Sequence, residues 1–170
     1  MLALLVAGCS LLLGQQPGTL AVKAARIDVT GAGAMLELDL DVNLSGPMQD
    51  ALDHGIPLTL RVEVAAGAWP HRTSVARQLE LRWYPLSRRY QLREASGEDV
   101  RSFTTRTYLM AALTSLRLQL PARFASLPQA TRLRVSVGLD PAALPGALRL
   151  PALFEPAWHL AAPDYHWAAP

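Results

Sequence analysis

Apolar and polar residues alternate along several segments of this chain, and the alternation predicts a protein built mainly from β-strands. A period of two places every second side chain on one face of a strand, so alternate apolar residues mark a face turned towards the core. In the clearest case the apolar set is Leu36, Leu38, Leu40 and Val42, and the other set is Met35, Glu37, Asp39 and Asp41. Four further strands are predicted in the same way, at residues 58–64, 78–84, 89–94 and 132–139.

Short turns are predicted to join neighbouring strands into hairpins. Arg26–Thr30 is predicted as a strand, and the turn at residues 31–33 returns the chain into residues 35–42. Residues 89–94 form the hairpin partner of residues 78–84. The pattern therefore indicates antiparallel pairing between strands that are close in sequence.

Two segments have helical spacing instead of alternation. Ser45 can cap a short helix that includes Pro47, continues to His54 and stops at Gly55. A second helix is predicted from Thr104 or Thr105 onwards, because its apolar residues recur at helical intervals at Leu109, Leu113 and Leu116.

The C-terminal region, residues 145–170, contains five prolines and a sparse apolar pattern. Paired strands are predicted there at Ala147–Leu150 and Trp158–Leu160, and residues 121–128 receive no assignment. Seven or eight short strands with two short helices, and no alternation of strands with helices, predict a mainly β fold. The expected architecture is an antiparallel β-sandwich, immunoglobulin-like in outline.

The N-terminal segment Met1–Leu13 is almost wholly apolar. As a helix it would span about 20 Å, which is short of the ~30 Å hydrocarbon core of a bilayer. This length suits the apolar region of a secretory signal peptide. Val22 and Ala24 are small enough for the pockets of a signal peptidase, so Ala25 is a predicted mature N-terminus. The expected division is a signal or anchor at residues 1–24 and one β-sandwich domain at residues 25–170.

A second interpretation of the same segment is a lipoprotein signal, in which Cys9 of Val6-Ala7-Gly8-Cys9 is acylated. Ser10 would then suit onward transport to an outer membrane. No Lys or Arg precedes Cys9, and the apolar run continues to Leu13, so neither interpretation has every expected feature. A buried N-terminal helix of a cytosolic protein is the third alternative. Export predicts a periplasmic or cell-envelope location.

Composition excludes several classes of protein. Apolar residues make up 51% of the chain and charged residues 18%, which is a globular composition. The single cysteine rules out an internal disulfide and a multi-thiolate metal site. A net charge of +2 gives no argument for nucleic-acid binding.

Charge is unevenly distributed along the chain. Residues 25–64 carry seven acidic and two basic residues, whereas residues 65–134 carry twelve arginines and four acidic residues. The two halves could pair across strands. Alternatively, an arginine-rich face meets an anionic partner, such as lipid headgroups or an acidic protein surface, with a tryptophan as apolar anchor. The face comprises Arg72, Arg77, Arg82, Arg88, Arg89 and Arg93, and the candidate contact residues are Trp69, Arg72, Arg82 and Arg89.

Catalytic chemistry has little support in the sequence. It contains no G-x-S-x-G motif and no glycine-rich phosphate loop. Glu37, Asp39 and Asp41 share one strand face, which most simply indicates a solvated face. We therefore expect a non-enzymatic protein without cofactor or metal. The alternative is an envelope enzyme that uses the C-terminal His159, Asp164 and His166.

The order of these features resembles a proteobacterial family of exported proteins, the domain of unknown function 4390 family, also called proline-rich signal peptide proteins. The matching features are residues 25–29, the alternation at 36–42, the helix end and following residues at 54–58, residues 78–82, Tyr84, Leu86, Arg89-Tyr90, and the tail residues Trp158, Leu160, Tyr165 and Trp167. The resemblance implies an envelope location and frequent genomic proximity to a nitrogen-regulation-type sensor kinase and its response regulator. It supplies no activity and no functional residues.

The sequence thus predicts a non-catalytic binding or accessory module of the envelope. Its partner would be a protein or an anionic envelope component, with a sensor kinase as one protein candidate. Membrane attachment, if present, would be at the N-terminus. A structural lipoprotein anchored through Cys9 is a further alternative.

Overall fold

The computed structural model describes residues 16–31, 33–68, 70, 72–95, 97 and 99–169. The described strands are β1 Thr19–Thr30, β2 Gly33–Asn43, β3 Leu58–Ala66, β4 Thr73–Tyr84, β5 Arg89–Glu94, β6 Val100–Phe103, β7 Ser115–Leu120, β8 Arg132–Leu139 and β9 Tyr165–Ala168. The α-helices are α1 Gly46–Asp53, α2 Arg106–Thr114 and α3 Gly146–Phe154. Three single-turn 3-10 helices lie at Ala122–Phe124, Pro141–Ala143 and Pro156–Trp158.

The strands form two antiparallel sheets that face each other, which confirms the predicted mainly β sandwich. One sheet has the order β1-β2-β7, and the other has the order β6-β5-β4-β3-β8-β9. Apolar residues from both sheets form one continuous core. The immunoglobulin-type division into four and three strands is replaced here by a division into six and three.

The alternation in β2 orients this strand as predicted. Leu36, Leu38 and Leu40 are at most 3% exposed and contribute to the core. β1 changes its alternation at a bulge, where the register shifts between Val22 and Ala24. The bulge lets apolar residues on both sides of it face the core, since an extra residue reverses the side-chain alternation.

Two of the helices begin where the sequence predicts. The Ser45 side chain accepts a hydrogen bond from the backbone N–H of Met48 at the start of α1, and Thr105 does the same for Tyr108 in α2. Gly55 follows α1 with a φ of +81°, a conformation that glycine adopts readily because it has no Cβ.

The predicted end of the second helix was wrong. α2 ends at Thr114, and Leu116 belongs to β7. Leu116 satisfies two patterns at once, because it continues the helical spacing of Leu109 and Leu113 and also begins a strand alternation. Burial of Leu118 and Leu120 beside it shows that the strand pattern prevails.

The two strands predicted in the C-terminal region were also wrong. Residues 147–150 lie in the third helix, α3, and Trp158 ends a 3-10 turn. α3 contains alanine and leucine but no β-branched residue, so its intrinsic preference is for helix. β9 forms later, at Tyr165–Ala168, and β6 is an additional strand without a sequence prediction.

The three α-helices among the described residues lie at the same end of the sandwich. α1 joins the end of β2 to the start of β3, α2 joins the end of β6 to the start of β7, and α3 follows the end of β8. The registers bring these ends together, because Thr19 pairs with Asn43 and Leu60 pairs with Leu139. The chain enters β1 at this end, here termed the helical end. The β1–β2, β3–β4 and β5–β6 connections lie at the opposite end, the turn end.

The first strand extends across the domain boundary predicted from the sequence. β1 begins at Thr19, and residues 19–24 pair with residues 39–43 of β2. Leu20 is 6% exposed and is part of the core. A chain that began at Ala25 would therefore lack half of the first strand.

Candidate functional site

The candidate contact residues do not form one surface. Arg72 immediately precedes β4 at the turn end, whereas Arg82 is near the other end of the same strand. Ten residues of extended chain separate them by about 33 Å. Trp69 lies outside the described residues, and Arg89 begins β5, close to Arg82.

Half of the arginine-rich face, three of its six arginines, is paired with carboxylates. Arg77 lies 3.2 Å from Glu94, and Arg93 lies 3.3 Å from Glu80. Arg72 makes a looser pair with Glu63 at 3.9 Å. Of these three pairs, only Arg72–Glu63 joins the acidic half of the chain to the arginine-rich half, as the pairing interpretation predicted. Arg77 and Arg93 pair with acidic residues of their own half.

Three exposed arginines at the helical end are different. Arg82, Arg88 and Arg89, here termed the arginine cluster, form no ion pair with any residue that the structure describes. Arg89 pairs with Tyr84 across β4 and β5, so Arg82 and Arg89 are diagonal neighbours about 7 Å apart. The Arg82 guanidinium lies 5.1 Å from the centre of the Tyr84 ring.

Arg88 has an unusual backbone conformation. It ends the four-residue turn between β4 and β5 with a φ of +50°, a left-handed conformation that is unfavourable for residues with a Cβ. Its backbone N–H donates a hydrogen bond to the Pro85 carbonyl at 3.3 Å. Strained conformations of this kind occur disproportionately at functional positions.

A hydrogen-bonded group beside the cluster joins three elements. The Tyr90 hydroxyl of β5 donates to Asp53 of α1 at 2.7 Å, and Arg106 of α2 contacts the other carboxylate oxygen at 2.6 Å. Partial burial and the hydrogen bond to Asp53 raise the pKa of Tyr90 to about 12. The Tyr90 ring also contacts Trp83, with ring centres 4.5 Å apart. Pattern analysis missed this group, because its members are distant in sequence.

The carboxylates of β2 lie on the outer face of their sheet, and two of them are ion-paired. Glu37 contacts Arg26 of β1 and Arg117 of β7, the latter at 2.9 Å. Asp41 lies 3.1 Å from Lys23. These contacts connect all three strands of the smaller sheet, which agrees with the interpretation of this face as a solvated one.

The C-terminal histidines are not gathered around a common centre with Asp164. The Asp164 carboxylate is bound to Arg134 at 2.9 Å, and His166 lies on β9 opposite Arg134. His159 is exposed after the last 3-10 turn. Across the described ranges, no group of three or more His, Cys, Asp or Glu side chains is placed to bind a metal ion.

Two open grooves of about 400 Å³ each lie along the sandwich. One is at the β1 bulge beside Glu37, Asp39 and Ser115. The other separates β7 from β5 and β6, and its lining includes Leu92 and Leu118. Both are shallow depressions between strands, and each mixes apolar with charged side chains.

An exposed apolar face on α3 was not predicted. Leu150, Leu153 and Phe154 point away from the core, while Ala152 is buried. Leu153 and Phe154 follow Leu150 by three and four residues, a spacing that places all three side chains on one side of a helix and could have predicted this face. The prolines around it led instead to a prediction of extended tail segments.

Residues 18–168 match the family described as Domain of unknown function (DUF4390). The chain belongs to the DUF4390 family. The DUF4390 match covers the described fold from the start of β1 at Thr19 to the end of β9 at Ala168. No curated protein and no solved structure matches the chain. None of the helices in the described part of this DUF4390 protein has the length and hydropathy needed to cross a bilayer.

Proposed function

We propose that this protein is an exported, non-catalytic binding module of the bacterial envelope, and that the arginine cluster is its contact surface. The observation that carries the proposal is that Arg82, Arg88 and Arg89 lie together at the helical end, exposed and without an ionic partner among the described residues. The other three arginines of the arginine-rich face are ion-paired. The partner would be an anionic envelope component or an acidic protein surface, and a sensor kinase is the protein candidate.

The chemistry of the cluster supports an anionic partner. Guanidinium groups bind carboxylates and phosphates through parallel hydrogen bonds, and they do so best when no internal carboxylate competes. The Tyr84 ring supports the Arg82 side chain from one side. Because this contact restricts the Arg82 side chain, the side chain would lose less conformational entropy when a partner binds.

The backbone of Arg88 supports the proposal independently. Glycine would adopt its φ of +50° with less strain, yet the position carries a long cationic side chain. A function for that side chain would account for a cationic residue at this strained position.

The Arg88→Gly variant separates the charge from the fold. Because glycine relieves the left-handed strain, we expect a free energy of unfolding within about 1 kcal/mol of the parent protein, together with reduced recovery of cross-linked envelope partners. Ala130→Gly is the matched control, since Ala130 has a φ of +59° at the turn end and carries no charge. It should leave partner recovery unchanged.

Charge reversal tests the cluster as a whole. In its host cell, the Arg82→Glu/Arg89→Glu variant should lose its cross-linked partners, because it repels an anionic surface. Arg101→Glu/Arg132→Glu alters two other exposed arginines and changes the net charge equally, so it should retain the partners. A stable Arg82→Glu/Arg89→Glu protein with an unchanged set of partners would refute the proposal.

A further inference from the structure

α3 presents an apolar face to the exterior. Leu150, Leu153 and Phe154 are 67, 57 and 78% exposed, and they occupy the side of the helix opposite Leu148 and Ala152, which contact the core. Three adjacent large apolar side chains on one helix are more than isolated exposed residues on an ordinary surface.

A fourth exposed apolar side chain lies at the same end of the molecule. Leu86 is at the tip of the β4–β5 turn and is fully exposed. Arg88 and Arg89 follow it directly. Apolar side chains beside arginines are typical of surfaces that bind the interface of an anionic bilayer.

The chain enters the fold near the 3-10 turn that follows α3. Gly18 lies against Ser45 and Leu160, so closely that a Cβ on Gly18 would come within 2.9 Å of the Leu160 side chain. The Ser45 hydroxyl donates a hydrogen bond to the Ala157 carbonyl at 2.5 Å. Ala157 belongs to the 3-10 turn that follows α3 and contacts it.

The sequence preceding this point indicates how a bilayer could come close to the surface. Met1–Leu13 is apolar, and only residues 14–18 separate it from β1. Five residues reach at most about 18 Å when fully extended. If the apolar segment is inserted in a bilayer, the helical end must lie close to that bilayer. Cleavage after Ala24 would remove half of β1, which argues against cleavage at that position.

We propose that the helical end docks on an anionic lipid bilayer. Leu86, Leu150, Leu153 and Phe154 enter the interfacial layer, and Arg88 and Arg89 contact the headgroups. This inference rests on the proposed envelope location and identifies the anionic component as lipid. The turn end then faces away from the membrane.

The test uses the full chain with vesicles of phosphatidylcholine and phosphatidylglycerol whose acyl chains carry bromine, which quenches nearby tryptophan. The Phe154→Trp variant gives fluorescence in excess of the parent protein, and we expect this excess to be quenched. Val29→Trp places the new ring on an exposed position at the turn end, and its excess fluorescence should be unaffected. Equal quenching of both variants, or of neither, would overturn the proposal.

A second set of variants excludes an effect of the N-terminal segment alone. Leu150→Glu/Leu153→Glu in the Phe154→Trp protein should abolish the quenching, whereas Val29→Glu/Val100→Glu at the turn end should preserve it. If the excess fluorescence of Phe154→Trp is shielded from a water-soluble quencher before vesicles are added, Met1–Leu13 or a second copy covers α3, and lipid docking would be overturned. Equal quenching in phosphatidylcholine alone would overturn the role of Arg88 and Arg89.

The vesicle experiment is independent of the partner experiment. It uses isolated protein, so it can succeed even if the protein is not exported. Loss of partners in Arg82→Glu/Arg89→Glu, with no quenching of the Phe154→Trp protein by the vesicles, would support the binding function and refute the bilayer as its target.

Discussion

Individual side chains at the helical end hold the helices to the sheets. Ser45 is 5% exposed and has two roles, since it caps α1 and donates a hydrogen bond to Ala157 after α3. Thr105 caps α2 but is exposed, and its side chain makes no second hydrogen bond within the described chain. A comparison of alanine substitutions at Ser45 and Thr105 therefore separates the stability contributed by a helix cap from that contributed by the additional hydrogen bond.

We expect Ser45→Ala to lower the free energy of unfolding by about 2 kcal/mol, and Thr105→Ala by about 1 kcal/mol. The difference arises because Ser45→Ala also leaves the buried Ala157 carbonyl without its partner. Urea denaturation of both variants measures it. Equal losses would mean that the Ser45–Ala157 hydrogen bond contributes nothing to stability.

The raised pKa of Tyr90 leads us to expect that the free energy of unfolding falls at alkaline pH. Its pKa of about 12 in the folded protein exceeds the ordinary value of 10.0, so the folded state holds the phenolic proton more tightly than the unfolded state does. The resulting stabilisation is complete below pH 10 and is lost as the pH rises towards 12. Urea midpoints should show this loss in the parent protein and not in Tyr90→Phe, which retains the ring beside Trp83. A parallel decline in both proteins would contradict the assignment.

At the scale of elements, the sequence patterns correctly predicted features that are determined by residues close together in the chain. The alternation in β2 and the caps at Ser45 and Thr105 were identified because propensity and burial agree there. Leu116 was placed in a helix because a single residue fits both periods, and only its partner strand decides between them. α3 was missed because its prolines obscured a helical pattern. The Asp53–Tyr90–Arg106 group depends on tertiary contacts, which periodicity does not contain.

β1 is the element that the predicted cleavage after Ala24 would divide. A chain beginning at Ala25 should unfold with a free energy lower by about 3 kcal/mol or more than a chain beginning at Pro17, because it loses the burial of Leu20 and half of the β1–β2 ladder. Both chains should carry the same added initiator methionine as a matched control. Coincident denaturation curves would show that Thr19–Ala24 is dispensable.

At the scale of the whole molecule, the two ends of the sandwich differ in chemistry. The helical end combines the start of the first strand, the exposed apolar face of α3 and the arginine cluster. The turn end carries the Arg72–Glu63 pair, and its described connections contain no α-helix. This polarity follows from the topology, since α1, α2 and α3 all follow strands that end at the helical end. It underlies the proposal that the helical end is the surface that contacts the bilayer.

The mature N-terminus and intact mass of the protein from its host, measured in membrane and soluble fractions, test this account most directly. The account predicts a membrane-associated chain whose first residue precedes Thr19, so that β1 is complete, and an acylated Cys9 would meet that condition. A chain that begins at Ala25, or one that retains Met1 in the cytosolic fraction, would contradict it.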